Sequence, residues 1–193
     1  MKTVGVTGGI GAGKSTVCKI FSTLGIPIYQ ADDRAKFLMQ HNPALRQALI
    51  NAFGQKTFLD GELNRPYLAK IVFSDSSQTK IINHLVHPVV AEDFEFWVSQ
   101  QKSPYVIKEA ALMIESSAYK SLDMLINVTS PISLRIERIK KRDPLRSIEE
   151  IEGIIDKQLS DAERAVVSDE TISNDDSSLL IPQVLKIDGN LRG

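Results

Sequence analysis

Apolar residues recur along this chain with two different periods. Short, β-branched runs bounded by glycine or proline occur at "TVGVTG" (3–8), "IPIYQ" (26–30), "SPYVIKEAALMIE" (103–115) and "DMLINVTSP" (123–131). Such runs predict buried strands of an α/β sheet. Helical spacing lies between them. Val17, Ile20, Phe21 and Leu24 fall at i, i+3, i+4 and i+7 ahead of Gly25 and Pro27, so a helix is predicted directly after the first strand. Beyond Pro131, Ile132, Ile136 and Ile139 form an apolar stripe, Arg135, Arg138 and Arg142 line another face, and Asp143-Pro144 ends the helix. Ser147 with Glu150 and Ser160 with Glu163 have capping-box spacing. They predict two further helices, the first carrying Ile148, Ile151, Ile155 and Leu159 on one face. "ETIS" (170–173) predicts a closing strand and 177–186 a closing helix.

From about residue 31 to 101 the pattern is helical with many polar positions, punctuated by Asn42-Pro43, Gly54 and Asp60-Gly61. Asp75, with Gln78 three residues on, predicts the cap of a helix whose apolar positions include Ile81, Ile82, Leu85 and Val89, and Pro88 either kinks or splits it. The expected organisation is one domain over 1–193. Its parallel-sheet core takes in about 1–30, 103–130 and 165–193, with a helical lobe inserted at about 31–101 and a lid at about 135–164.

Length and charge narrow the functional classes. A chain of 193 residues can bury a substantial core. Its 23 Lys and Arg against 24 Asp and Glu leave a formal charge of −1, which argues against a nucleic-acid-binding protein. The single Cys18 forms no intramolecular disulfide and falls within the first helical pattern, where it reads as a small packed residue. No apolar run is long enough to span a bilayer, and the N-terminal residues lack the pattern of a signal peptide. A cytoplasmic protein without membrane partners is expected.

Chemistry enters at Gly8-Gly9-Ile10-Gly11-Ala12-Gly13-Lys14-Ser15, which satisfies G-x-x-x-x-G-K-[ST] between a predicted strand and a predicted helix. The glycines let successive backbone N–H groups converge on phosphate oxygens at a helix N-terminus, where the helix dipole also favours an anion. Lys14 would reach the β- and γ-phosphates, and the Ser15 hydroxyl would bind Mg²⁺. The fold class is therefore α/β, a phosphate-loop (P-loop) NTPase fold with a parallel sheet flanked by helices and an inserted helical lobe and lid.

GTP switches, ATP-driven motors and small-molecule kinases all use this loop. The sequence lacks the N-K-x-D tetrapeptide of guanine readers, and a motor would normally be longer or oligomeric. A kinase needs a lid with arginines and a lobe for the acceptor, because it must exclude water and neutralise a loose phosphoryl transition state. Arg138 and Arg142 are the lid candidates, against a reading in which they belong to a solvated basic face. Asp32, just past the second strand, could orient an acceptor hydroxyl and take its proton or help hold the metal, whereas Asp33 reads as a helix cap. A kinase for another small acceptor, such as a nucleoside monophosphate, and a non-catalytic nucleotide-binding regulator are the alternatives.

"TGGIGAGKST", "LGIPIYQADDRAK", "LNRPYLAKIVFSD", "HPVV", "LMIES" with "YKSLDMLINV", and "RIERIKKRD" followed by Gln158 occur in this order over nearly the whole chain. The set resembles the dephospho-coenzyme A kinases. The resemblance implies ATP-dependent, Mg²⁺-assisted phosphorylation of the ribose 3′-hydroxyl of dephospho-CoA to give coenzyme A. It implies that Gly11, Ala12, Gly13, Lys14, Ser15 and Thr16 hold the ATP phosphates and that Asp32 acts as base or metal-orienting group. Arg142, with Arg138 as companion, would be lid arginines, and Arg65 and His87 would lie on the acceptor side. For His87 a second reading is a helix-shaping residue ahead of Pro88, and for Phe94, Phe96 and Trp97 acceptor contact stands beside a core role. "TISND" approximates the family's "VIDN" and makes Asn174 an adenine-side candidate. The sequence departs from the family pattern at Gln30, where the first aspartate of "DAD" is expected, at Glu109 in place of an aspartate, and at Ala111 in place of a proline.

Overall fold

The computed structural model describes the backbone of residues 1–193 and every side chain except those of Phe73, Ser74 and Ser76. The chain forms two compact units, Met1–Gln30 with Gln101–Gly193, and Ala31–Gln100.

In the first unit, β1 (Lys2–Thr7), β2 (Ile28–Gln30), β5 (Tyr105–Glu109), β6 (Met124–Thr129) and β7 (Glu170–Ser173) form one parallel sheet in the order β2-β5-β1-β6-β7. β1 lies at its centre, with Val6 level with Glu109 on one side and Ile126 on the other. Alternation along the strands sends Val4, Val6, Ile107, Ile126 and Val128 to a face covered by α1 (Lys14–Thr23) and α9 (Leu180–Arg192). Phe21 of α1 is fully buried there, edge-on to Tyr105 at 6.3 Å between ring centroids, a burial that stabilises by roughly 1.5–3 kcal/mol. The opposite face packs Met113, Leu122 and Leu125 around Gly5.

Four sequence expectations shift. The apolar run at 103–115 is a strand only over Tyr105–Glu109 and then turns. The closing helix is Leu180–Arg192 rather than 177–186, because Asp175 accepts from the N–H groups of Ser177 and Ser178 and holds that stretch in a turn. In α6 (Ile132–Arg142) the buried positions are Arg135 and Ile139, while Ile132 is exposed. Capping boxes at Ser147 and Ser160 start α7 (Ile148–Ile155) and α8 (Asp161–Val167). Leu159 lies beyond the end of α7.

In the second unit, α2 (Ala31–His41), α3 (Pro43–Phe53), α4 (Arg65–Ser74) and α5 (Ser76–Ser99) bury Leu38, Leu45, Leu49, Phe53, Val86 and Phe94. A two-stranded hairpin of β3 (Phe58–Leu59) and β4 (Glu62–Leu63) joins α3 to α4. Its turn places Asp60 and Gly61 at φ 49° and 84°, the left-handed pair that such hairpins favour. Arg34 of α2 donates through Nε and Nη2 to the two Asp93 oxygens of α5, at 3.0 and 2.5 Å. That bidentate pair fixes the first turns of α2 against α5. α5 runs through Pro88 without interruption, and its cap is Asp75, which accepts from Ser77 N–H.

Candidate active site

β1 ends at Thr7 and α1 begins at Lys14, so residues 8–13 form the loop at the C-terminal edge of the central strand. That edge is where open α/β sheets bind ligands. Gly13 precedes α1 at φ 97°, and a β-carbon there would run into Asn174 Nδ2. Only glycine meets both conditions. The N–H groups of Gly11, Gly13 and Ser15 have no acceptor among the described residues. Unpaired N–H groups at a helix N-terminus are the kind of donor that can bind an anion. Lys14 folds its ammonium back over the loop, donating to the carbonyls of Gly8 at 2.9 Å and Gly9 at 3.2 Å. The hydroxyls of Ser15 and Thr16 begin the helix at exposed positions.

Three elements close around the loop. From the end of β7, Asn174 donates its amide to the Ala12 carbonyl at 2.8 Å. From α6, Arg135 is buried and donates through Nε to the Ile10 carbonyl at 2.8 Å, with its guanidinium against Gly9. Burial pushes the Arg135 guanidinium down from its ordinary value, Asp161 opposes that shift and Arg164 adds to it. From the turn between α7 and α8, Gln158 Oε1 accepts from Ile10 N–H at 2.8 Å. Beneath the loop Cys18 is buried, and desolvation first, then the charge of Glu109, hold its thiol far above the usual range, with Lys14 opposing. It is an inert packing residue.

Arg138 donates to Ser130 Oγ at 3.0 Å and to the Asn174 carbonyl at 3.1 Å, and pairs with Asp176. It is tied to the β7–α9 connection. Arg142, the last residue of α6, is exposed and makes no ion pair among the described residues. Beside Asn174, a cavity of about 430 Å³ is lined by Ile20, Leu179, Leu180 and Pro182 together with Asp176.

In the second unit Asp32 is exposed in the first turn of α2, while Asp33 pairs with Lys36 at 2.7 Å. Arg65 opens α4 and is exposed; His87 is exposed within α5, immediately before Pro88. Phe94 is buried, stacked against Trp97 at 6.2 Å, and Phe96 is 68% exposed.

Residues 2–179 match the family model of dephospho-CoA kinase (CoaE). The chain belongs to the dephospho-CoA kinase family. A dephospho-CoA kinase of Bacteroides fragilis is 36% identical over 185 residues, covering 95% of this chain and 90% of that protein. One from Porphyromonas gingivalis is 36% identical over 187 residues, covering 97% and 93%. Among solved structures, TT1252 from Thermus thermophilus superposes with a TM-score of 0.86 at 28% identity, covering 100% of this chain and 98% of its own. The dephospho-CoA kinase from Campylobacter jejuni has a TM-score of 0.69 at 26% identity, over 98% and 96%. Shikimate kinase from Acinetobacter baumannii, at 17% identity and a TM-score of 0.54, shares the P-loop kinase fold. Family membership makes the chain a nucleotide-using phosphotransferase.

The residues that brace the loop, Arg135 and Gln158 with Asp161 and Glu115 behind them, are where the sequence reading stopped short. Arg135 reads in sequence as one of five basic residues on α6. The one available signal is its spacing of four from Ile139, which puts both on the buried side.

Proposed function

We propose that the protein transfers the γ-phosphoryl group of ATP to the ribose 3′-hydroxyl of dephospho-CoA, giving ADP and coenzyme A. The observation that carries this reading is a phosphate loop built into a chain that matches one acceptor-specific kinase family over residues 2–179. Gly11 to Thr16 hold the phosphates, with the N–H groups of Gly11, Gly13 and Ser15, unpaired among the described residues, as the backbone donors. Lys14 leaves the carbonyls of Gly8 and Gly9 for the β- and γ-phosphate oxygens. The cavity beside Asn174, with its aliphatic wall, suits the flat face of adenine.

Mg²⁺ fits this donor set. It keeps several waters and takes one or two protein oxygens beside those of its phosphates, and the exposed Ser15 hydroxyl next to the phosphate cradle supplies one. When bound, it would neutralise charge on the β- and γ-phosphates. The 3′-oxygen attacks phosphorus in line, the bond to the β,γ-bridging oxygen breaks, and the hydroxyl proton passes to the Asp32 carboxylate. Arg65 and His87 serve the acceptor. Residues 135–164 act as the lid, with Arg142 and Arg138 supplying positive charge. Exposed Leu145 and Ile148, in and after the turn that follows α6, give that lid an apolar face to close with.

The test is ADP release from ATP and Mg²⁺ with and without dephospho-CoA, with coenzyme A followed by mass. Coenzyme A appearing in step with ADP is the expected result. ADP release dependent on a different acceptor, or on none, would overturn the assignment.

A further inference from the structure

Both backbone polar groups of Ile10 are held by side chains from distant parts of the chain. Its N–H donates to Gln158 Oε1 and its carbonyl accepts from Arg135 Nε, each at 2.8 Å. Behind these two bonds the structure closes a circuit. Arg135 Nη1 pairs with Asp161 at 3.6 Å, Asp161 accepts from Arg164 Nη1 at 3.3 Å, and Arg164 Nη2 reaches Glu115 at 3.4 Å. Glu115 then accepts from the N–H of Leu159 at 3.2 Å, the neighbour of Gln158. Thr129 Oγ1, at the end of β6, donates to Asp161 at 2.5 Å and fastens the circuit to the sheet. Arg164 is wholly buried and Arg135 nearly so.

A loop with glycine at 8, 9, 11 and 13 loses more conformational freedom on ordering than any other kind of segment. A site that waits for phosphate to order it sacrifices affinity, whereas one ordered beforehand does not. Fixing Ile10 at both its N–H and its carbonyl fixes the orientation of the peptide that begins the run of phosphate-facing N–H groups. We infer that Gln158 and Arg135 are positioning residues of the phosphate loop. They hold it in its binding geometry before nucleotide arrives and join that geometry to the turn between α7 and α8. The inference rests on the loop's being a nucleotide site and deepens the kinase reading.

The experiment compares the full-length protein with Gln158→Met, which keeps the side chain's bulk and removes its acceptor, and with Arg135→Lys. MgADP affinity is measured by calorimetry, KM for ATP and for dephospho-CoA by steady-state kinetics, the amide resonances of residues 10–14 by ¹⁵N spectra, and thermal stability alongside. Loss of one such hydrogen bond is expected to weaken MgADP and raise KM for ATP about fivefold. KM for dephospho-CoA and kcat should stay within about twofold, and the Ile10 and Gly11 amide resonances should move. Unchanged MgADP affinity in Gln158→Met would overturn the inference, as would an equal rise in both KM values. A fall in melting temperature with normal nucleotide affinity would do so too, marking the circuit as merely structural. Should Arg135→Lys not fold, Gln158→Met decides alone. If the wild-type protein binds MgADP yet makes no coenzyme A, the acceptor assignment fails and this inference still stands or falls on MgADP affinity.

Discussion

Asn174 Nδ2 lies 2.8 Å from the Ala12 carbonyl, a bond that spans 162 residues of sequence and places the exit of β7 directly on the phosphate loop. Gly13 makes the approach possible by having no side chain where the amide passes. Asn174→Leu removes the donor and leaves a buried carbonyl without its partner, at a cost of about 1–2 kcal/mol. In a protein this size that lowers the melting temperature by roughly 3–6 °C. Calorimetric unfolding checks the stability change, and a larger loss of affinity for ATP than for inorganic triphosphate would place Asn174 on the adenine side.

Lys14→Ala should lower kcat by about 10² or more, the scale of losing a charged donor aimed at the transferring group. Because Lys14 also ties down the carbonyls of Gly8 and Gly9, the variant should show faster amide exchange in the loop. Near-normal turnover would remove Lys14 from the chemistry.

Asp32→Asn keeps the shape of the side chain and removes its basicity. Single-turnover kinetics should show transfer slowed by about 10²–10⁴ with ATP affinity nearly unchanged. Equal transfer rates would leave Asp32 only a helix-opening residue.

Tyr105 donates its hydroxyl to Asp188 at 2.6 Å. Burial above all, then this bond and the charge of Asp188, raise the phenol well above its ordinary value of 10.0, with Arg192 opposing. Above pH 10 the unfolded chain gives up this proton while the folded chain keeps it. The contribution to stability is therefore complete below pH 10 and disappears as pH rises beyond it. In an absorbance titration at 295 nm the wild type should show a component that ionises only on unfolding, and Tyr105→Phe should lack it.

Two phenylalanines should separate packing from surface. Phe21→Ala empties a fully buried position and should cost about 3–5 kcal/mol. Phe96→Ala, at 68% exposure, should change stability by less than about 0.5 kcal/mol. Chemical denaturation measures both, and a raised KM for dephospho-CoA in Phe96→Ala would put that ring on the acceptor.

The inner strands β1, β5 and β6 were legible because each is a short, nearly continuous apolar run, as buried parallel strands are, and the phosphate loop because it is contiguous; the edge strand β7, with Ile172 as its one buried residue, left a weaker trace. The β3–β4 hairpin was not legible, since two residues per strand are too few for alternation to register. Its only trace was Asp60-Gly61. The bracing of the loop escaped for another reason: Arg135 and Gln158 act on a residue 125 and 148 positions away. Spacing from Ile139 is all that locally separates the buried guanidinium at 135 from the exposed Lys141, and what that guanidinium braces is set only when the sheet brings Ile10 to it.

The centre of the sheet is the first strand of the chain, and both of its neighbours come late. β1 pairs with residues from 105 onward on one side and from 124 onward on the other, and Asn174 follows only after β7. During synthesis from the N-terminus, residues 8–15, which spell out the phosphate loop, are made long before the strands that flank β1, and β1 has nothing to pair with until the chain has passed residue 105. Closing such long loops is slow, so the nascent chain acquires its affinity for nucleotide near the end of translation rather than at the beginning.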